Sequence, residues 1–232
     1  MNVVITGASR GIGKAVAKAF AAQGASLFLT SMNEKKLTAA VNELQKEFPS
    51  ISIKAKAFDL SKKEEAIACG KWFIQNGTPD ILVNNAGNFL PGNVYNEKDG
   101  TLENQIQTNL YSAYHVTRTV LPQMITAKSG HIFNMCSIAS LRAYENGGSY
   151  SISKFALMGF SKNLREELKP FNIKVTAVYP GAVLTDTWGN YDNSAKRIME
   201  AEDIAKMIVA ASKLSPAAVV EDIIIRPQLG DL

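Results

Sequence analysis

The sequence predicts an α/β fold: a doubly wound, seven-stranded parallel sheet with helices on both faces. Three observations predict it. Short β-branched runs recur along the chain, turn residues follow each run, and segments with apolar residues at helical spacing separate one run from the next. Buried strands joined by crossover helices read as a parallel sheet covered on both sides, with right-handed connections.

The elements follow in order. Val3-Val4-Ile5 is the first strand, and a glycine-rich turn leads from it into a helix over residues 12–23. A strand over 26–30 precedes a helix over 34–48, and a strand over 51–57 precedes a helix over 62–76. Ile81-Leu82-Val83 opens into the long loop 84–100, and a helix covers 99–127. Strands over 131–135 and 173–178 flank a helix over 149–169; a variable segment, 186–199, then precedes one more helix and the final strand Ile223-Ile224-Ile225.

Nothing divides the chain: no composition break, Pro/Gly-rich linker or internal repeat interrupts residues 1–232, which read as a single domain. Hydrophobic residues make up 46% of the sequence, enough for a substantial core, and no apolar run reaches membrane length. The net charge of +4 comes from 25 basic and 21 acidic residues scattered along the chain, so a nucleic-acid partner is not expected. Cys69 and Cys136 lack metal-clip spacing and read as buried small residues, and no metal site is expected. His115 and His131 have no paired acid at a catalytic spacing. The first strand begins almost at once, leaving no room for a leader, which predicts a cytoplasmic location.

In open α/β sheets ligands bind beyond the carboxyl ends of the strands, so the loops after the strands carry the functional reading. The first reads Thr6-Gly7-Ala8-Ser9-Arg10-Gly11-Ile12-Gly13 and runs into an amphipathic helix. Glycines let such a turn close and its backbone approach a ligand, and the unpaired N–H groups at a helix start favour phosphate. The spacing Gly-x-x-x-Gly-x-Gly is one residue longer than the common dinucleotide fingerprint, and tight packing alone would also use glycines here. Two further patterns follow in order: Asn84-Asn85-Ala86-Gly87 after the fourth strand, and Tyr150-x-x-x-Lys154 at the start of a helix. The ordered set resembles the short-chain dehydrogenase/reductase family over nearly the whole chain. The resemblance implies a single-domain Rossmann fold and an NAD(P)(H)-dependent oxidoreductase.

Tyr150 and Lys154, four apart, share one helix face. A free tyrosine titrates near pH ~10, and a neighbouring ammonium is expected to lower that value. The resemblance makes Tyr150 the proton donor to a carbonyl oxygen, or the acceptor from an alcohol, and has Lys154 also hold the nicotinamide ribose. Ser137, after the fifth strand, matches the residue that hydrogen-bonds the substrate oxygen, with Ser140 a weaker candidate. Asn109, inside the long helix, matches the member of the family's tetrad whose carbonyl holds a relay water.

Cofactor contacts implied in the same way are Gly7, Ser9, Arg10, Gly11, Ile12 and Gly13 in the first turn; Ser31; Asp59 and Leu60 against the adenine; Asn85, Ala86 and Gly87; Tyr150 and Lys154; and Pro180, Gly181, Val183 and Thr185 around the nicotinamide. Ser61 equally suits Asp59 to a helix start. The choice between NAD and NADP rests on the end of the second strand, Thr30-Ser31-Met32-Asn33, where no acid awaits the ribose hydroxyls. That absence, with Arg10 able to pair with a phosphate, favours NADP, although Met32 replaces the arginine of many NADP-dependent members.

A small carbonyl or alcohol is the expected substrate, with Phe89, Leu90, Arg142, Tyr144, Trp188 and Tyr191 as pocket candidates. A 3-oxoacyl thioester reductase is an alternative that the ending Ile225-Arg226-Pro227-Gln228 weakens, since those relatives end in a glycine-rich strand. A cofactor-binding sensor or scaffold without turnover is the reading from another class. The resemblance also implies a homodimer or homotetramer paired through the two long helices.

Overall fold

The computed structural model describes residues 1–189 and 191–231, and the expected seven strands form one parallel sheet. In chain order the elements are β1 Asn2–Thr6, α1 Gly11–Ala21, β2 Ser26–Ser31, α2 Glu34–Glu47, β3 Ile53–Ala57, α3 Lys63–Gln75, β4 Ile81–Asn84, α4 Thr101–Ile106, α5 Ser112–Ala127, β5 Gly130–Met135, α6 Gly148–Leu168, β6 Ile173–Pro180, α7 Ala201–Ser212 and β7 Asp222–Ile225. The strands lie in the order β3-β2-β1-β4-β5-β6-β7, so the winding reverses between β1 and β4. That reversal is where a crevice opens at the carboxyl edge.

Alternation along the strands separates two cores. Val3, Ile5, Leu27, Leu29 and Val83 face α1 and α7, with Phe20, Ile204 and Ile208 between them. Val4, Phe28, Leu82 and Ile132 face the other way, against Phe73 of α3, Val120 and Met124 of α5 and Leu164 of α6. The central strands β1, β2, β4 and β5 are therefore apolar on both sides, as a sheet covered twice requires, whereas the edge strand β3 exposes Lys54, Ala55 and Lys56. Local chemistry sets the helix ends where packing does not. Asn33 accepts from the Lys36 amide at 2.9 Å and starts α2. No helix among the described residues is long and apolar enough to cross a membrane.

One expectation is corrected. The helix expected over 99–127 starts at Thr101 and is not uniform: Gln107–Tyr111 form a π-helical turn between α4 and α5. The widened turn turns Asn109 inward and buries it completely.

Polar groups tie the sheet together at its centre. Asn84 donates to Asn134 Oδ1 and Thr117 Oγ1, both at 2.8 Å, and Asn134 donates to Ser161 Oγ at 2.9 Å. The amide of Asn84 thus braces β4 against β5 and α5, just below the turn that carries Asn85 to Gly87.

Candidate active site

The loops that leave β1, β4, β5 and β6 meet the start of α6 around a cavity of about 700 Å³. Thr6, the last residue of β1, joins two of these loops: its hydroxyl accepts from the Asn85 and Ala86 amides at 3.0 and 2.9 Å. Asn85 returns the bond, donating to the Thr6 and Gly7 carbonyls at 3.0 and 3.1 Å. Gly13 is required by this approach, because a Cβ there would run into the Gly7 carbonyl and the Asn85 amide. No side chain caps the first turn of α1. The helix therefore begins beside the cavity with its amides presented along a glycine backbone.

Of the residues expected to hold a cofactor, Arg10, Ile12, Asn85, Gly87, Tyr150, Lys154, Pro180, Gly181, Val183 and Thr185 line the cavity. Gly7, Ser9, Gly11, Gly13 and Ala86 belong to the same two turns but do not line it, and Ser9 Oγ sits 2.8 Å from Ser31 Oγ, bringing the first and second turns together. Asp59 and Leu60, which follow β3 beside Ser31, do not line this cavity. Asp59 accepts from the Ser61 amide and hydroxyl at 3.2 and 2.6 Å and pairs with Lys62 at 3.4 Å; the Ser61 bonds are the main cause of its lowered pKa. Its carboxylate thus serves the turn into α3. Leu60 is buried in the core with Phe58 and Phe73. Arg10 also has a partner, Asp186, across the groove at 3.1 Å.

Ser137, Tyr150 and Lys154 converge on the cavity, whereas Asn109 lies behind it. Asn109 donates to Ser153 Oγ at 2.9 Å and to the Asn88 carbonyl at 3.1 Å, and accepts from the Asn88 amide at 2.8 Å. Ser153 in turn donates to the Tyr150 carbonyl at 2.7 Å, so Asn109 supports the first turn of α6. Ser140 is fully buried and accepts from the Ser137 amide at 3.2 Å; it shapes the turn that presents Ser137.

Burial decides the ionisation of the pair on α6. It pushes the Tyr150 hydroxyl up to about 12, against the pull of the Ser137 hydrogen bond, and lowers the Lys154 ammonium to about 8. The expectation that Lys154 lowers the tyrosine's pKa is corrected. Its ammonium donates to the Met135 carbonyl at 2.8 Å and sits 5.8 Å from the centre of the Tyr150 ring, and the groups that move the tyrosine are its own burial, Ser137, Tyr144 and Cys136.

Among the pocket candidates, Phe89, Arg142, Tyr144 and Trp188 line the cavity; Leu90 does not, and Tyr191 packs behind Trp188 at 5.2 Å between ring centres. Phe89 meets Tyr150 edge to face at 4.8 Å. The cavity also includes residues the sequence did not single out. Asn88, Cys136, Ile138 and Ala182 are neighbours of residues that it did. Asp231 comes from far along the chain and pairs with Arg142 at 2.6 Å and with Arg226. No local pattern announces that last contact.

The sequence and the fold both have known counterparts. A family model described as short chain dehydrogenase matches residues 1–196. An uncharacterized oxidoreductase of Staphylococcus aureus strain MRSA252 is 30% identical over 225 residues, covering 97% of this chain and 96% of that protein. A metagenomic short-chain oxidoreductase solved in complex with NADP superposes with a TM-score of 0.84 at 29% identity, over 98% of this chain and 97% of that one. L-Sorbose reductase from Gluconobacter frateurii, complexed with NADPH and L-sorbose, gives 0.88 at 26% identity, over 97% and 95% of the two chains.

Proposed function

The chain belongs to the short-chain dehydrogenase family and is an oxidoreductase of CH–OH and C=O groups; from that premise we propose that it interconverts a small carbonyl compound and its alcohol with NADP(H), using Tyr150 as the proton-transfer residue. One observation carries the reading: the hydroxyls of Ser137 and Tyr150 and the ammonium of Lys154 face one cavity, beside an uncapped helix start with a glycine turn.

The chain's groups fit a dinucleotide. The glycine turn gives backbone room and amides for a pyrophosphate, Ser9 and Ser31 stand together where adenosine hydroxyls would need partners, and Arg10 offers a cation to a 2′-phosphate. Lys154 and the loop from Pro180 to Thr185 would hold the nicotinamide end. A nicotinamide held there supplies hydride to the carbonyl carbon. The two superposed structures, solved with NADP and NADPH, support the phosphorylated cofactor.

Tyr150 keeps its proton at neutral pH, which suits donation to a carbonyl oxygen as charge builds on it. Ser137 donates a hydrogen bond to the same oxygen and stabilises that charge. Asn109, through Ser153 and Asn88, holds the backbone on which these groups stand. One domain, 1–232, would carry both cofactor and substrate, and exposed Tyr111, Ile152 and Phe155 support pairing into a homodimer or homotetramer.

The test is consumption of NADPH and of NADH over ketones, diketones, quinones, pterins and 3-oxoacyl thioesters, with Tyr150→Phe as control. Turnover of a small carbonyl that Tyr150→Phe abolishes is the expected result. Preference for the thioesters would give the 3-oxoacyl alternative, and tight cofactor binding without reduction of any carbonyl would give the sensor reading.

A further inference from the structure

The helix that carries Tyr150 is not capped by its own sequence. Gly147 precedes α6 and provides no side-chain cap. The cap comes from Glu97, 52 residues earlier: its carboxylate accepts from the Ser149 amide at 2.8 Å and from the Ser149 hydroxyl. Ser149 is buried and is Tyr150's immediate neighbour.

The fit around this carboxylate is close. Gly148 has φ of +32°, and a Cβ there would run into Glu97 Oε1 and the Gly92 carbonyl. The same two segments are joined again at Asn93 and Asn146: Asn93 Oδ1 accepts from the Asn146 amide at 3.0 Å, Asn93 Nδ2 donates to Asn146 Oδ1 at 3.2 Å, and the Gly92 amide donates to the Asn146 carbonyl at 3.1 Å. The loop that supplies Glu97 is the one that leaves β4, and it also supplies Phe89, whose ring stands on Tyr150 and lines the cavity. One loop therefore grips the tyrosine twice, through its ring and through the backbone of its helix.

We propose that Glu97 is a positioning residue for Tyr150, and that through it the β4–α4 loop transmits substrate contact at Phe89 to the placement of the tyrosine hydroxyl. The proposal rests on the reading of Tyr150 as proton donor. A carboxylate at a helix start both satisfies free amides and favours the dipole, so its removal loosens the first turn. A small displacement of a reacting group costs rate far more than it costs binding of a remote cofactor.

The test compares Glu97→Ala and Glu97→Gln with the parent enzyme by steady-state kinetics and by titration of tyrosinate absorbance, with Tyr150→Phe identifying the Tyr150 component. Glu97→Ala is expected to lower kcat about tenfold or more while the KM for NADPH stays within about twofold, and to shift the Tyr150 titration. Glu97→Gln keeps an acceptor for the Ser149 amide and is expected to restore most of the loss. A kcat for Glu97→Ala within about twofold of the parent, or an unmoved Tyr150 titration, overturns the proposal. The titration needs no substrate, so the proposal can be judged even if no carbonyl in the panel is reduced.

Discussion

Lys154 donates its ammonium to the Met135 carbonyl at 2.8 Å, in a position where its residue is only 6% exposed. Burial of a charge against a single carbonyl is a cost to folding that a binding site tolerates for its function. Lys154→Met is therefore expected to raise the unfolding free energy by roughly 1–3 kcal/mol at pH 7 while abolishing carbonyl reduction. Urea denaturation measures the first and NADPH consumption the second. The lysine's folded value, about 8, lies below its ordinary 10.5, so the unfolded chain binds more protons between them. The parent thus gains stability as pH rises across that window, and the gap between the two proteins narrows. A destabilised variant at pH 7 would show that the Met135 bond outweighs desolvation.

The same ionisation sets a kinetic limb. Lys154 is charged below about 8, and Tyr150 keeps its proton until about 12. Reduction by NADPH is expected to slow as pH rises through about 8, and Lys154→Arg, which stays cationic, should flatten that limb whatever its absolute rate. A profile level to pH 10 in the parent would contradict this.

Arg10 and Asp186 form an exposed ion pair at 3.1 Å across the cofactor groove. If Arg10 takes the 2′-phosphate, Asp186 competes for it. Exposed pairs are worth about 0–1 kcal/mol, so Asp186→Asn should lower the KM for NADPH by up to about fivefold and leave that for NADH unchanged. Arg10→Ala should raise the KM for NADPH far more than that for NADH. Equal effects on both cofactors would remove Arg10 from the phosphate site.

His131 is buried in β5, stacked on Phe133 at 3.9 Å and bonded through Nε2 to Thr176 Oγ1 at 2.7 Å. Burial lowers its pKa to about 3 from 6.5. Between those values the unfolded chain binds a proton that the folded chain refuses, so stability falls as pH drops from 6.5 toward 3. His131→Gln should show a shallower decline of Tm with acid than the parent. Parallel declines would place the acid sensitivity elsewhere.

Gly13→Ala puts a methyl into the Gly7 carbonyl and the Asn85 amide. The glycine turn and the Asn85 turn must then separate, at roughly 1–3 kcal/mol, and cofactor binding should weaken with them. Gly159→Ala, where a Cβ meets nothing within 4 Å, is the control and should not lose stability. Matching losses in both would show that the contact at Gly13 is relieved without strain.

The sheet and its first turn were readable because local pattern and global packing agree there: Val3, Val4 and Ile5 are buried alternately on two faces, and the glycines meet a neighbouring loop. Lys154 was readable as a partner of Tyr150 by spacing, but not its ionisation, which depends on how deeply α6 packs. Asn109 was found by resemblance; the π-helical turn that buries it has no signature in Gln107 to Tyr111. Asp59 was ambiguous between adenine and helix start, and its bonds to Ser61 show the second without bearing on the first. Glu97 and Asp231 were invisible because each acts on a residue more than fifty positions away.

The reversal of winding between β1 and β4 has a kinetic consequence. Arg10, Phe89, Ser137 and Thr185 become neighbours only when strands from four separate stretches of the chain are in register, and contacts of such sequence separation form late because loop closure precedes any gain from them. An early folding species with β1, α1 and β2 paired would hold the glycine turn and none of the proton chemistry. The contacts around the cavity close the longest loops of the chain, so recovery of activity is expected to lag behind recovery of helix during refolding.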